Sequence, residues 1–380
     1  MRWRPDSPSI YLPDSGQIDL NAIGVEAGQA NNSQTALNDA AVRDLIGKAS
    51  GAQNALSEYY GASAIRPITW TRQPGLVSAV GTRTMYSVAW AGTRFCAVGR
   101  NGRGATSPDG VTWTQQPSLA SATRSSTLTS VAWSGTQFCV VGEGGACATS
   151  PDGITWTKAN IPGGGGGGGF DGPNPRSVTW SGTQFCIVGD SGFCLTSPDG
   201  ITWTEQRGFS QAASGNSMHS VTWSGTQFCA VGMGGGRGQT SPDGVTWTDQ
   251  PGLKSIAGGL IIQWKSVIWA GTQFCVVGYD YNANTGKCAT SPDGVTWTNQ
   301  PSFTSAAPTK MWSVTWDGNQ FCAVGGEWET KSTCATSPDG VTWTAELSLS
   351  SAVGNTEMRS VIWSGSKFCT VGSNSECATA

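Results

Sequence analysis

Beyond residue 85 the chain is built from short apolar runs bounded by Gly, Ser, Pro and Asp, without the 3.6-residue spacing of an amphipathic helix. The runs come in a fixed order. In the second unit they are Val131 to Trp133, Gln137 to Val141, Cys147 to Ser150 and Ile154 to Thr157, and each reads as a strand. Ser134-Gly135 separates the first two, a place taken by Asp317-Gly318 in the sixth unit, and predicts a tight hairpin of the primed type. Ser-Pro-Asp-Gly separates the last two, with Pro and Gly where a type I turn followed by a left-handed residue needs them.

The pattern repeats along the chain. A phrase of the form Ser-Val-Thr-Trp-Ser-Gly-Thr-Gln-Phe-Cys-Ala-Val-Gly begins at Ser87, Ser130, Ser177, Ser220, Ser266, Ser313 and Ser360, seven copies spaced by 43 to 47 residues. That spacing fits the four-stranded blade of a propeller, roughly 40 to 45 residues long. A second phrase, Ser-Pro-Asp-Gly-Val/Ile-Thr-Trp-Thr, begins at Ser107, Ser150, Ser197, Ser241, Ser291 and Ser337, one copy fewer. The missing copy lies ahead of the first unit, where Ile68-Thr69-Trp70-Thr71-Arg72-Gln73-Pro74 matches its second half, and the chain stops at Cys377-Ala378-Thr379-Ala380 where it would begin.

The expectation is an all-β fold: a seven-bladed β-propeller over residues 63–380, with strands A to D counted from the axis. The last blade takes strand D from about Ile68 to Thr71, so that Ile68, Trp70 and Trp363 fasten the ring and remove its exposed edges. Fourteen of the 18 tryptophans recur as one in strand A and one in strand D of each blade, and each is expected to contribute roughly 4 to 6 kcal/mol through burial.

Between copies the A–B and C–D turns hardly change, whereas the B–C and D–A connections vary. These share one face of the disc, which becomes the candidate binding surface. It carries Tyr279, Tyr281, Trp328, Trp264 and Trp312, suited to stacking on sugar rings, and Asp280, Asn282, Asn284, Glu327 and Glu329, suited to bonding hydroxyls. Loop side chains packed on their neighbours are the alternative. The run Gly163 to Gly169 lacks the spaced Gly and Lys of a phosphate cradle and reads as a loop tip.

Only 12% of the residues are charged and the formal net charge is −3, which argues against a nucleic-acid partner. The start, Met1-Arg2-Trp3-Arg4-Pro5-Asp6, leads into no apolar run, so neither a signal peptide nor a membrane span is expected. Seven of the 12 cysteines follow Phe in strand B and five open strand C. Small buried thiols are favoured, with cross-strand disulfides as the alternative. With His219 the single histidine and no zinc-ribbon spacing, neither a metal nor a cofactor is expected, and His219 reads as a surface residue.

Two resemblances add to this. Ser-Pro-Asp-Gly-Val-Thr-Trp resembles the Asp-box of the sialidase and BNR-repeat families, one residue shorter between Asp and Gly. There the box is structural, so the likeness implies fold and not chemistry. The arginines look scattered, with a few near blade 1 (Arg83, Arg94, Arg100, Arg103), and no Tyr/Glu pair stands out, so enzymatic activity is not expected; a glycan-processing enzyme is the alternative.

The second likeness lies in residues 1–62, which carry none of the repeat. Leu37-Asn38-Asp39-Ala40-Ala41-Val42-Arg43-Asp44-Leu45-Ile46-Gly47-Lys48-Ala49-Ser50-Gly51, followed by Leu56-Ser57-Glu58-Tyr59-Tyr60-Gly61, resembles an N-terminal segment of tailed-phage virion proteins. The likeness implies an adaptor in which Leu37, Asn38, Val42, Arg43, Leu45, Gly47, Tyr59, Tyr60 and Gly61 attach the propeller to tail or baseplate proteins. The protein would then be a virion component presenting its variable face to a host-surface glycan or receptor, with capsid decoration an alternative and the oligomeric state open. The closing strand places the adaptor on the invariant-turn face, with the variable loops pointing away from the particle.

Overall fold

The computed structural model describes residues 68–162, 174–213, 215–234, 237–327 and 331–380. The adaptor residues, the glycine run, Trp328 and Glu329 lie outside them. The chain divides into two compact units, Met1–Ile68 with Asp317–Gln320, and Thr69–Trp316 with Phe321–Ala380. The second is the propeller.

Seven antiparallel sheets of four strands each make its blades. In blade 2 strand A is Leu128–Trp133, B is Phe138–Gly142, C is Ala146–Ser150 and D is Thr157–Lys158. Closure occurs as expected in kind: the seventh blade runs from A at Met358–Trp363 through B at Phe368–Gly372 and C at Cys377–Thr379 to a D strand from the front of the chain. That strand is Thr71–Arg72 rather than Ile68 to Thr71, paired Thr71 with Thr379 and Arg72 with Ala378. Ile68 and Trp70 are buried ahead of it.

The same offset occurs in the other six blades, where the Ser-Pro-Asp-Gly turn causes it. In blade 1, Asp109 Oδ1 accepts from the backbone N–H of Val111 and Thr112, both at 2.8 Å, and Ser107 Oγ accepts from Gly110 N–H at 2.8 Å. Gly110 holds φ at 78°, the left-handed value expected of it. The Trp113 indole then donates back to the Gly110 carbonyl at 3.0 Å. These bonds keep residues 110–113 out of the ladder, so Trp113 is a buried anchor before strand D and not a member of it. Strand-A tryptophans such as Trp90 and Trp363 are only half-buried against the Phe of strand B, with ring centroids 4.4 and 4.7 Å apart. The full burial energy therefore applies to the strand-D set alone.

Two belts of hydrogen bonds link neighbouring blades. Nearest the axis, the Ser of each Ser-Val pair accepts from the backbone N–H of the next blade's Val, from Ser87 to Val131 round to Ser360 and Val88, at 3.1–3.3 Å in all seven blades. At the turns, Gln137, Gln184, Gln227 and Gln273 donate to the Asp carbonyls of the following blades (Asp199, Asp243, Asp293 and Asp339), at 2.7–2.8 Å. Arg94 and Lys367 do the same to Asp152 and Asp109.

The D–A connections carry an element that strand patterning did not predict. Six of them fold into short helices: Gly75–Val80, Pro117–Ala122, Arg207–Ala213, Gly252–Ala257, Ser302–Ala306 and Ser348–Val353. Leu76, Leu119, Phe209, Leu253, Phe303 and Leu349 project from these helices and are completely buried. They fasten the outer rim to the blades instead of standing free. All 12 cysteines are buried, and where strands B and C both carry one the sulfurs approach closely, Cys275 and Cys288 at 3.8 Å. Burial alone pushes the Cys229 thiol up to about 12, as expected of a small apolar core residue.

Candidate functional site: the axial mouth

Strand A contains a bulge in every blade. The residue before the bulge pairs with a Gly of strand B, as Met85 does with Gly99 and Trp264 with Gly278, and the ladder resumes two residues later, Ser87 with Val98. The close approach explains that Gly: a Cβ on Gly99 would stand 2.2 Å from the Thr84 carbonyl oxygen. The extra residue leaves the ladder and joins the axis. In chain order these bulge residues are Tyr86, Thr129, Arg176, His219, Lys265, Trp312 and Arg359, all half-buried.

With Thr127 and Glu143 they line a cavity of about 310 Å³ at the mouth of the axis on the variable face. A second cavity of about 660 Å³ between Arg83, Arg100, Asn101, Glu357 and Asn374 shares Tyr86 and Arg359 with it.

Two arginines far apart in sequence, Arg176 and Arg359, therefore converge at this mouth, and Arg83 and Arg100 line the second cavity. Arg176 forms a bidentate pair with Asp190, at 2.7 and 2.9 Å. Burial works to raise the Asp190 carboxyl, but the Arg176 hydrogen bond and charge outweigh it and hold the group below its ordinary value. Arg359 pairs with Glu357 and lies 3.9 Å from the Trp312 ring, a cation–π stack. Lys265 Nζ stands 3.3 Å from His219 Nδ1, which is itself 3.0 Å from the Trp264 carbonyl. His219 is thus an axial residue and not a surface one. Burial first, then the charge of Lys265, bring it down to about 4, so the ring is neutral at pH 7.

Of the loop residues expected to bind, the structure exposes some and buries others. Tyr281 is 57% exposed, and Asn282 is exposed beside it. Tyr279, by contrast, is buried, its hydroxyl donating to Gln263 Oε1 at 3.0 Å and its ring edge-on to Trp312 at 5.5 Å. Asp280 is buried and caps the Asn282 N–H, and the half-buried Asn284 turns with φ at 55°. Both shape the loop. Trp264 is completely buried, because it occupies the position just before the bulge of strand A, where Met85, Met218, Met311 and Met358 serve as core in other blades. Glu327 is engaged by Lys310 at 3.1 Å, and of the named tryptophans Trp312 stands at the mouth.

Sequence reading missed the mouth although it left a trace. The residue before each Ser-Val pair changes chemistry from blade to blade between a constant apolar residue and a constant Ser.

No family model and no curated sequence matches this chain. Solved structures do. YCF48 bound to D1 peptide is 16% identical with a TM-score of 0.60, covering 83% of this chain and 98% of that one. A catalytically inactive virginiamycin B lyase from Staphylococcus aureus with quinupristin is 9% identical at 0.60, covering 78% and 94%. The WD40 propeller domain of Doa1 is 10% identical at 0.52, covering 78% and 92%. The likeness is one of fold.

Proposed function

We propose that this chain is a tail-associated component of a phage particle whose propeller recognises a host-surface carbohydrate at the axial mouth. The observation that carries the binding reading is the bulge position: one backbone site, repeated by the fold around the axis, holds Tyr, Thr, Arg, His, Lys and Trp side chains while its surroundings stay constant. A cavity of about 310 Å³ with aromatic walls and several polar groups suits a small polar ligand. Attachment to the particle rests on the resemblance of Leu37 to Gly61 to phage adaptor segments.

Binding is favoured over turnover because two of the acids beside the mouth are committed. Asp190 and Glu357 are each bonded to an arginine, which suits holding a site in shape more than moving protons.

A glycan array tests the reading. The intact protein should bind a restricted set of glycans, Trp312→Ala should lose them and Tyr281→Ala should keep them. Equal binding by the intact protein and Trp312→Ala overturns the placement at the axis. Particles that still incorporate a protein lacking residues 1–62 overturn the adaptor assignment.

A further inference from the structure

Among the cations of the mouth, Lys265 stands apart. Arg176, Arg359 and Lys310 each face a carboxylate, Asp190, Glu357 and Glu327 respectively. Among the described residues no carboxylate comes within 4.0 Å of the Lys265 ammonium. Its neighbours are the His219 ring and the faces of Trp312 and Tyr279, with centroids 5.4 and 5.6 Å away. His219 is a poor acceptor for it, because an Nδ1 that carries its proton donates to the Trp264 carbonyl and has no lone pair left. A half-buried ammonium held among rings, with two guanidinium groups nearby, lacks the one partner that offsets its desolvation.

We propose that Lys265 is the centre of an anion site in the axial mouth, that the carboxylate of an acidic saccharide of the uronic acid type occupies it, and that ligand and proton bind together. The saccharide part rests on the carbohydrate reading above. The anion part rests on Lys265 alone.

The coupling follows from the groups that face Nζ. Burial, then the charges of Arg176 and Arg359, lower Lys265 from 10.5 to about 7, while Asp190 pulls the other way. His219 is neutral here, and Tyr279, raised by burial, is a neutral phenol. Among the described residues Tyr86, Glu143, Glu357 and Lys310 also lie around the mouth, with Arg83 and Arg100 in the adjoining cavity. An anion at Nζ favours the ammonium, so above about pH 7 each ligand brings a proton with it. Affinity should be full below about pH 7 and fall by about tenfold per pH unit above it.

Calorimetric titration of the full chain with glucuronate, glucose and inorganic phosphate, from about pH 6 to about pH 9, tests this. Glucuronate should bind at least about tenfold more tightly than glucose, weakening with pH as above. Lys265→Met should lose the preference. Lys265→Arg should keep it and lose the pH dependence, because guanidinium does not titrate in this range. Melting curves of both variants establish that they fold.

Equal affinity for glucuronate and glucose, or unchanged binding by a folded Lys265→Met protein, overturns the anion site and leaves the carbohydrate reading standing. Phosphate binding that glucuronate does not surpass overturns the saccharide assignment and keeps the anion site. Binding of none of the three overturns the anion site, and the glycan array then decides the carbohydrate reading by itself.

Discussion

Replacing Trp70 with alanine should unfasten the ring. Trp70 is 4% exposed and lies 6.3 Å from Phe368, the same relation that Trp113 has to Phe95 in the first blade. Truncating a core Trp costs about 3–5 kcal/mol. What differs is the strand each one anchors. The closing strand has two residues, and besides its short ladder with Cys377–Thr379 its ties include the Trp70 N–H to Ser348 Oγ at 3.3 Å, the Gln73 N–H to the Cys377 carbonyl at 2.7 Å, the Gln73 side chain to Thr379 at 2.9 Å and the Arg72–Glu376 pair at 2.6 Å. The ion pair is at the surface, with the Arg72 side chain 48% exposed, and pairs of this kind contribute about 0–1 kcal/mol. Trp70→Ala should therefore cost about 3–5 kcal/mol and bare the edge of Cys377–Thr379, whereas Arg72→Ala should cost under about 1 kcal/mol. Urea unfolding followed by far-ultraviolet circular dichroism reads the energies, and light scattering reads association through the bared edge. A Trp70→Ala midpoint indistinguishable from the unmodified protein, or an Arg72→Ala effect as large, would refute the reasoning.

Other outcomes follow from the same geometry. Tyr279→Ala should destabilise by about 2–4 kcal/mol and Tyr281→Ala by less than about 0.5 kcal/mol in the same urea assay, since one ring is core and the other is exposed. Ser313→Ala leaves the buried Val361 N–H without its acceptor, so it should cost about 1–2 kcal/mol; no change would remove the axial belt from the account of stability. In the turns, backbone hydrogen bonds from Thr112, Thr155 and Thr202 hold Asp109, Asp152 and Asp199 below their ordinary value. Their folded values are depressed, so their contribution is full above the unfolded value of about 4 and is lost as pH falls through the folded values. Melting temperature should drop on acidification below about pH 4, less steeply in Asp199→Asn, and parallel curves for the two proteins would contradict this.

Recurrence made most of the fold legible. Seven copies of one strand phrase against six of the other state both the number of blades and the closure, because a ring must supply its missing strand from the far end of the chain. Turn chemistry was legible for the same reason: Asp and Gly at fixed offsets have few backbone solutions. Strand D was misplaced by about three residues because Thr and Trp read as strand formers, while a carboxylate cap and an indole hook hold them in the turn. The short D–A helices were missed because each is only five to seven residues long, and helices so short depend on tertiary burial, here of residues such as Leu119 and Phe209.

The site lay deeper. Trp264 and Tyr281 are both aromatic residues near variable loops, yet one fills the core and the other meets solvent. By itself the sequence determined the blades, their turns and the closing of the ring, since these depend on local patterns that repeat. Only the tertiary structure decided that Arg176, Lys265, Trp312 and Arg359 share one cavity. They come from separate blades, so no local window joins them, and the bulge that turns each toward the axis breaks the alternation by which a strand's faces are read.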